Sequence, residues 1–223
     1  SDILGKLPLK GKKILVTDGP TYEAIDPVRF IGNHSSGKMG FDIAEKAAIM
    51  GAEVTLISGP THLQTKNSQI NLVKVQSAKE MYDACHRYYK DMDVAIAAAA
   101  VADYKPKNVA LQKIKKAETT LSITLEKTED ILASLGIKKQ KQFLIGFALE
   151  TENEIENAKL KIQKKNLDLI VLNSLNDKGA GFGQPTNRVT FIDRNFTIEP
   201  MELKSKEEVA IDIINKIIKH YEA

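Results

Sequence analysis

The segment of this chain best suited to binding an anion is Asn33–Gly40 (NHSSGKMG). Small residues let the backbone approach a ligand, and the first-turn N–H groups of a helix attract phosphate. Ser35 or Ser36 can cap such a helix, Lys38 adds a positive charge, and Gly40 keeps that face open. The predicted phosphate-binding loop comprises Ser35, Ser36, Gly37, Lys38, Met39 and Gly40. The spacing is not that of the P-loop, and an ordinary capped helix is the alternative interpretation.

A second candidate lies at Ala97–Tyr104 (AAAAVADY), where an apolar strand ends. Ligands bind at the carboxyl ends of parallel strands, and a run of alanines would let a flat ring lie against the backbone. Asp103 could bind a ribose hydroxyl or a divalent cation. Close packing of helix on sheet is the alternative for the alanines, and capping of a loop is the alternative for Asp103.

A third candidate is the basic run Lys113–Lys116 (KIKK). In an extended backbone Lys113 and Lys115 lie on one face and can reach a neighbouring site. A compact ammonium on a movable segment suits a phosphate whose charge must be neutralised during a reaction. Most such runs are simply solvated, so the motif alone decides little.

The first strand is not followed by a dinucleotide fingerprint. The chain runs Asp18-Gly19-Pro20 where G-x-G-x-x-G would open a helix, and the second strand ends at Ser58 without an acidic residue. NAD and FAD binding are therefore disfavoured, and with them a reductase function. His34 by itself is more typical of a structural histidine than of a general base.

The elements that must position these residues alternate between short apolar strands and helices, which predicts an α/β fold. The fold would be Rossmann-like, with a mostly parallel sheet and helices on both faces. A strand-containing flap at about 102–126, with its strand at 121–125, interrupts the alternation, and an antiparallel hairpin and a final helix follow the sheet. Strands are predicted at 13–17, 54–58, 72–75, 93–98, 143–147 and 167–172, the hairpin at 188–193 and 197–203, and helices at 37–50, 78–90, 129–137, 152–165 and 206–221.

Composition limits the classes of partner. The 223 residues carry a net charge of +3, which requires no nucleic acid, and no apolar run approaches the ~20 residues of a membrane span. The single cysteine, Cys85, excludes an internal disulfide and is expected to be a buried thiol within a helix, in a reducing compartment. Residues 1–11 lack the apolar region of a signal peptide and are interpreted as a linker. A cytoplasmic protein is expected.

Taken in order, these segments resemble phosphopantothenate–cysteine ligase, the C-terminal domain of the bacterial bifunctional coenzyme A biosynthesis protein. The resemblance extends over 12–223, and the combination of NHSSGKMG, AAVADY and KxKK is highly specific. The matching segments are Gly19-Pro-Thr, Asp26–Arg29, Asn33–Gly40, Ala99–Tyr104, Lys113–Lys116, Gly146-Phe-Ala, Glu150-Thr151 and Lys165–Asp168.

The resemblance implies a ligase that uses CTP and Mg2+. The carboxylate of 4′-phosphopantothenate would form an acyl-cytidylate with release of pyrophosphate, and the amine of cysteine would then displace CMP. It also implies a homodimer through the flap and fusion to, or association with, a phosphopantothenoylcysteine decarboxylase, whose flavin this chain would not bind. Such chemistry depends on positioning and charge neutralisation.

The same resemblance assigns residues by position. Asn33 would act on the acyl-cytidylate, Lys113 in the activation step, and Arg29 as an anion contact across the dimer. Asp103 is also the candidate metal ligand. The implied CTP-binding positions are Ala97, Ala98, Ala99, Asp103, Lys113, Asp130, Ile131, Leu132, Phe147, Lys161 and Lys165.

Two residues depart from the family pattern. Asp18 replaces a small residue and is expected to lie near the site and to weaken phosphate binding. Glu129 replaces a proline and is expected in the first turn of a helix, where an acid is favourable. Because of Asp18, a catalytically weakened nucleotide-binding or regulatory module of the same fold remains the alternative to an active ligase.

Overall fold

The computed structural model describes residues 7–116, 120–174 and 186–222. Strands form where β-branched and apolar residues cluster, and the helices between them carry an apolar stripe toward the sheet. The strands are β1 (Lys13–Asp18), β2 (Tyr22–Ala24), β3 (Phe30–Gly32), β4 (Glu53–Ser58), β5 (Ile70–Lys74), β6 (Val94–Ala97), β7 (Tyr104–Pro106), β8 (Leu125–Lys127), β9 (Phe143–Glu150), β10 (Leu169–Ser174), β11 (Thr186–Asn187), β12 (Val189–Asp193), β13 (Ile198–Pro200) and β14 (Lys204–Ser205). The helices are α1 (Lys38–Ile49), α2 (Ala78–Tyr88), α3 (Ile131–Lys138), α4 (Glu154–Lys165) and α5 (Lys206–Glu222).

The central sheet has eight strands in the order β13-β12-β10-β9-β6-β1-β4-β5. The six strands from β10 to β5 are parallel, and β12 and β13 add an antiparallel hairpin at one edge. The chain moves outward from β1 to β4 and β5, then returns to build β6, β9 and β10 on the other side. The predicted Rossmann-like class is confirmed, with its switch point between β1 and β6, where such folds bind ligands.

Helices cover both faces of the sheet. One hydrophobic core packs α1 and α5 together, with Phe41 and Ile213 among its buried side chains, and the other packs α2, α3 and α4. Cys85 is fully buried in α2, as predicted, and burial raises the pKa of its thiol to about 12. In the part of the chain that the structure describes, no helix is both long and apolar enough to cross a bilayer.

The flap contains a two-stranded antiparallel ladder in which Tyr104 pairs with Lys127 and Pro106 with Leu125. The strand predicted at 121–125 is wrong in position, because pairing begins only at Leu125. Leu121 and Leu125 are both exposed, so the alternation of apolar residues there faces no core. The hairpin of β2 and β3 was not predicted; its segments lie beside the flap, and Ala110 N–H donates to Ile25 C=O at 3.0 Å.

The C-terminal hairpin and last helix are confirmed, with the second strand of the hairpin shortened to β13. At the other end, residues 7–11 of the expected linker are described. Leu9 is fully buried, and its N–H donates to Met50 C=O at 2.9 Å. This part of the segment therefore packs with the domain.

Candidate functional site

A cavity of about 170 Å3 opens at the switch point, where β1 and β6 end and α1 begins. We call it the loop cleft. Three segments supply most of its wall: the predicted phosphate-binding loop, the alanines after β6, and the middle of β9. Its lining residues are Asp18, Ser35, Ser36, Gly37, Lys38, Met39, Ala98, Ala99, Ala100, Phe147, Ala148, Leu149, Asn173, Asn187 and Lys206.

The loop enters α1 through a glycine and not through a capping serine. Gly37 is the N-cap residue, with a positive φ of 78° that an L side chain rarely adopts, and its position lacks a side-chain cap. Ser35 and Ser36 instead accept N–H groups two residues ahead, at 3.3 and 3.4 Å. The predicted serine cap is therefore wrong, because the left-handed turn at Gly37 moves both hydroxyls ahead of the capping position.

The carboxylate of Asp18 lies directly under the first turn of α1. Its Oδ1 accepts the N–H of Gly40 at 3.1 Å, while its Oδ2 is buried and has no hydrogen-bond partner in the described residues. A Cβ atom at Gly40 would lie 2.3 Å from Oδ1, and one at Gly37 would lie 2.6 Å from Oδ2. Both glycines are thus needed to make room for Asp18. The sequence-based expectation that Gly40 keeps this face open to a ligand is wrong, because the carboxylate of Asp18 lies against it.

Burial determines the charge of Asp18. The residue is 1% exposed, and loss of solvent raises the pKa of its carboxyl from 3.8 to about 7, although backbone N–H groups oppose this shift. Part of the Asp18 population is therefore neutral at physiological pH. The expectation that Asp18 lies at the site agrees with its place in the cleft wall.

Two lysines line the cleft, the expected Lys38 and the unexpected Lys206. Lys38 Nζ forms an ion pair with Asp42 one turn along α1, at 2.9 Å, so its charge is already matched. Lys206, the first residue of α5, is 7% exposed and lines the cleft. Burial lowers the pKa of its ammonium. Nothing in the local sequence marked Lys206, because the final helix brings it to the loop from the far end of the chain.

Asn173 and Asn187 also line the cleft and were not predicted. Asn173 Oδ1 is buried and has no hydrogen-bond partner among the described residues. Asn173 belongs to β10 and lies one residue beyond the strand predicted at 167–172, at its carboxyl end. The rule that placed ligands at the ends of β1 and β6 could have found it.

Asn33 connects the loop to the end of β6. Its Nδ2 donates to the carbonyl groups of Ala100 and Val101 at 3.1 and 3.0 Å. These bonds hold the entrance of the loop beside the alanine run. The role predicted for Asn33, action on the acyl-cytidylate, would require one of these two hydrogen bonds to exchange.

The predicted nucleotide-binding residues on α3 and α4 form a second region, the lysine cluster, which comprises Asp130, Lys161 and Lys165. Lys165 Nζ lies 2.8 Å from Asp130 Oδ2, and Lys161 Nζ donates to the carbonyl group of Phe147 at 2.8 Å. Asp130 is also the N-cap residue of α3, and it accepts the N–H of Ala133 at 2.9 Å. Ile131 and Leu132 are the first two residues of that helix.

The electrostatics of the cluster reflect this pairing. Burial and the neighbouring Lys165 lower the pKa of Lys161, against the opposing charges of Glu150, Asp130 and Asp103. The ammonium of Lys165 and the N–H of Ala133 lower the pKa of Asp130, although burial alone would raise it. Ala97 pairs with Gly146 across β6 and β9, so the alanine run lies beside Phe147.

Asp103 is exposed just before β7, and its carbonyl group accepts the N–H of Thr128 at 3.0 Å. Across 7–116, 120–174 and 186–222, no group of three His, Cys, Asp or Glu side chains is placed to hold a metal ion. A single carboxylate does not fit a resident Mg2+ site. It fits a Mg2+ ion that arrives with the phosphates of a nucleotide, since Mg2+ commonly binds one carboxylate together with substrate phosphates and water.

The basic run of the flap is held at its second residue. Asp26 Oδ2 accepts the N–H of Ile114 at 3.1 Å, and Arg29 Nη2 donates to the carbonyl group of Ile114 at 2.7 Å. The side chain of Asp26 is fully buried, and its Oδ1 accepts the N–H groups of Val28 and Arg29, both at 2.8 Å. Desolvation alone would raise the pKa of Asp26. The pKa is nevertheless lowered, because the carboxylate accepts these three N–H groups and lies beside the guanidinium of Arg29. We call this arrangement the flap latch.

Lys113, the residue before the latched one, is exposed and does not line the loop cleft. Within the described chain its ammonium makes no hydrogen bond or ion pair. The latch therefore fixes the backbone next to Lys113 and leaves the side chain free to move. The resemblance implies that Arg29 contacts an anion across the dimer, and this stays a prediction; within this chain its guanidinium holds the flap.

Asp168, the last residue of the KNLD segment, accepts the N–H of Leu144 at 2.8 Å and pairs with Lys139 at 2.6 Å, both through Oδ2. Asp168 thus has a structural role.

Glu129 precedes the N-cap of α3, so its expected place in the first turn is wrong. The helix begins later because Asp130 supplies the cap, and Glu129 Oε2 is buried without a hydrogen-bond partner in the described part of the chain.

Known proteins resemble this chain in sequence and in fold. The family model "DNA/pantothenate metabolism flavoprotein C-terminal domain" matches residues 9–221. A curated relative from an unknown prokaryotic organism, "Cysteine/Cysteine sulfinic acid decarboxylase", is 53% identical over 212 residues, which is 95% of this chain and 59% of that protein. The "Coenzyme A biosynthesis bifunctional protein CoaBC" of Bacillus subtilis (strain 168) is 45% identical over 210 residues, 94% of this chain and 52% of that protein.

A solved structure agrees over the whole fold. The crystal structure of the C-terminal domain of CoaBC superposes with a TM-score of 0.83 and 44% identity, covering 97% of this chain and 99% of that domain. The chain thus spans little more than half the length of the curated relatives that it matches, and nearly all of the C-terminal domain. The family resemblance inferred from the motifs is confirmed.

Proposed function

This chain belongs to the family of the DNA/pantothenate metabolism flavoprotein C-terminal domain, and on that premise we propose that it is a ligase of coenzyme A biosynthesis. The proposed reaction joins 4′-phosphopantothenate to L-cysteine at the expense of CTP. The coenzyme A assignment is supported by the CoaBC relatives and by the solved CoaBC domain.

The reaction proceeds in two displacements. A carboxylate oxygen of 4′-phosphopantothenate attacks the α-phosphorus of CTP, the bond to the β-phosphate oxygen breaks, and pyrophosphate leaves. The cysteine amine then attacks the acyl carbon, loses a proton, and displaces CMP to leave the amide. Neither step needs a protein nucleophile, so the protein's task is to position the substrates and neutralise charge.

The observation that carries the proposal is the meeting of the loop cleft and the lysine cluster at Phe147. This residue lines the cleft with its neighbours on β9, and its carbonyl group holds Lys161. A ligase of this kind must hold two anionic substrates with their reacting groups adjacent. Two basic regions that share one strand provide that arrangement.

We assign the cytidine nucleotide to the lysine cluster and Asp103, and the pantothenate substrate to the loop cleft. The alanine run lines the cleft and would contact both substrates where they react. Lys113 would approach the triphosphate from the flap and neutralise charge as pyrophosphate departs. Asn33 would act on the acyl-cytidylate in the second step, and Arg29 would hold the flap. The proposal also includes a homodimer formed through the flap and a cytoplasmic location. The chain would associate with a phosphopantothenoylcysteine decarboxylase, whose flavin lies outside this chain.

The test is the set of products from CTP, 4′-phosphopantothenate and cysteine. Pyrophosphate should appear only when CTP and 4′-phosphopantothenate are both present, and CMP and the amide should appear when cysteine is added. Replacing CTP by ATP should reduce the rate. No pyrophosphate above the level of a no-enzyme control would overturn the proposal.

Asp18 favours one competing function, a regulatory or nucleotide-binding module with weakened catalysis. A buried carboxyl under the loop would oppose a phosphate whenever it is ionised. Under this alternative CTP would bind without turnover. Unchanged affinities for both CTP and 4′-phosphopantothenate in Asp18→Ala would show that Asp18 has no influence on phosphate binding and would remove the main support for the alternative.

A further inference from the structure

The loop cleft contains a buried lysine, Lys206, that interacts with the charge of Asp42, a carboxylate already paired with Lys38. Lys206 makes no hydrogen bond or ion pair within the residues that the structure describes, although it is 7% exposed. Its neighbours on the same side of the sheet behave differently, since each has a carboxylate partner. Those pairs are Lys38 with Asp42, Lys46 with Glu207, and Lys204 with Asp212.

An unpaired buried ammonium is costly, and proteins rarely keep one without a use. Burial already lowers the pKa of Lys206. The first turn of α1 and the hydroxyl-bearing loop line the same cavity, so an anion there would contact a lysine and a helix N-terminus together. The unpaired ammonium therefore points to an anionic ligand in the cleft.

The other unsatisfied groups narrow the class of ligand. Asn173 Oδ1 is a buried acceptor without a donor in the described chain, and Asp18 Oδ2 is a second one when the carboxyl is ionised; both residues line the cleft. A ligand that satisfies the cleft must carry N–H or O–H donors close to its anionic group. Met39, Phe147 and the alanine run add apolar walls. A phosphate monoester on a chain with hydroxyl and amide groups has this combination.

The charges of a nucleotide would be met elsewhere. Asp103, Lys161 and Lys165 do not line the loop cleft. An enzyme that holds two phosphate-bearing substrates at once needs a separate cation for each. The lysine cluster supplies one set, and Lys206 remains for the other.

We propose that Lys206 binds the phosphate group of the pantothenate substrate and makes the enzyme select 4′-phosphopantothenate over pantothenate. This inference rests on the proposed ligase function. Asn173 would contribute to the same selection by contacting a donor group of the pantothenate chain. Lys206 is thus a binding residue, remote in sequence from the loop that it completes.

The experiment measures KM for 4′-phosphopantothenate, pantothenate and CTP in the wild-type, Lys206→Met and Lys206→Arg proteins. Loss of a charge-assisted hydrogen bond should raise the KM for 4′-phosphopantothenate about 10- to 100-fold. The KM for CTP should stay within about twofold, the preference over pantothenate should fall by the same factor as the KM rises, and Lys206→Arg should recover part of it. Lys219→Met, on an exposed turn of the same helix, is the matched control.

An unchanged KM for 4′-phosphopantothenate, or a rise confined to CTP, would overturn the inference. Thermal unfolding identifies a variant that fails to fold; Lys206→Met should melt no lower than the wild type, because an unpaired buried charge is removed. If Lys206→Met does not fold, Lys206→Gln replaces it. If the wild type shows no ligase activity, the proposed function fails. Calorimetric titration with 4′-phosphopantothenate and with pantothenate then still decides whether Lys206 recognises the phosphate.

Discussion

The loop cleft and the lysine cluster adjoin at Phe147 but differ in how their charges are satisfied. In the cluster, Lys165 pairs with Asp130 and Lys161 donates to a backbone carbonyl group. In the cleft, Asp18 Oδ2 has no hydrogen-bond partner among the described residues. Lys206 interacts with the charge of Asp42 but forms no hydrogen bond or ion pair with a described residue. The cluster is therefore arranged before any ligand binds, whereas the cleft has polar groups that no described residue satisfies.

This difference has an energetic consequence. Removing one member of a pair leaves the other charge uncompensated, so variants in the cluster should lose both binding and some stability. Removing an unpaired buried group relieves a cost of desolvation, so variants in the cleft should lose binding while their stability is kept or raised. Variants at Asp18 and Lys165 separate these two behaviours, and variants at Lys113 and Asp26 test the flap.

The largest effect is expected at Lys113, an exposed lysine of the flap without an ion pair among the described residues. Lys113→Met should lower the rate of pyrophosphate formation about 1000-fold, in the range seen when one charge-stabilising group is removed from an active site. Lys116→Met, in the same basic run, is the control and should keep most of the activity. Equal losses in the two variants would mean that the flap provides only general positive charge.

The next largest effect is a pH dependence of stability due to Asp18. Its carboxyl has a pKa of about 7 in the folded protein and 3.8 as the reference, so the folded state binds the proton more tightly. The free energy of unfolding should therefore fall as pH rises from about 4 to about 7, and the loss should be complete above that range.

Asp18→Asn cannot ionise and should escape this loss. The variant should gain stability over the wild type progressively through the same range, up to about 4 kcal/mol at 1.36 kcal/mol per pKa unit. Urea unfolding of both proteins at a series of pH values measures the difference. A difference that is constant with pH would contradict a buried, titrating carboxyl under the loop.

A smaller effect is expected from the flap latch. Asp26→Asn should weaken the hold on Ile114 N–H and lower the kcat of pyrophosphate formation about 10- to 100-fold, with little change in the KM for CTP. The double variant Asp26→Asn with Lys113→Met should be no slower than Lys113→Met alone, because the latch acts through that lysine. Multiplied losses in the double variant would separate the latch from Lys113.

The smallest effect is expected in the lysine cluster. Lys165→Met should raise the KM for CTP about tenfold and reduce stability by less than about 1 kcal/mol, because Asp130 is half exposed. Lys159→Met, which breaks the exposed pair with Glu156 on the same helix, is the control and should leave the KM unchanged. A lower KM for CTP would contradict a nucleotide site there.

Local patterns in the sequence were sufficient for the framework. Apolar strands alternating with helices predicted the parallel sheet, and the strand-end rule placed Asp18 and the alanine run at one edge. Local patterns failed where the outcome depends on side-chain geometry or on contacts between distant segments. The Asp42 partner of Lys38, the Asp130 cap and the latch at Ile114 depend on side-chain geometry that residue types alone do not determine. Lys206 reaches the cleft only through the packing of α5 against α1.

The measurement that tests the account most directly is pyrophosphate release from CTP with and without 4′-phosphopantothenate, in the absence of cysteine. The account predicts release that depends on 4′-phosphopantothenate, stops near one equivalent per active site while the acyl-cytidylate remains bound, and resumes when cysteine is added. CTP binding with no pyrophosphate release in either condition would contradict it and would identify the chain as a nucleotide-binding module.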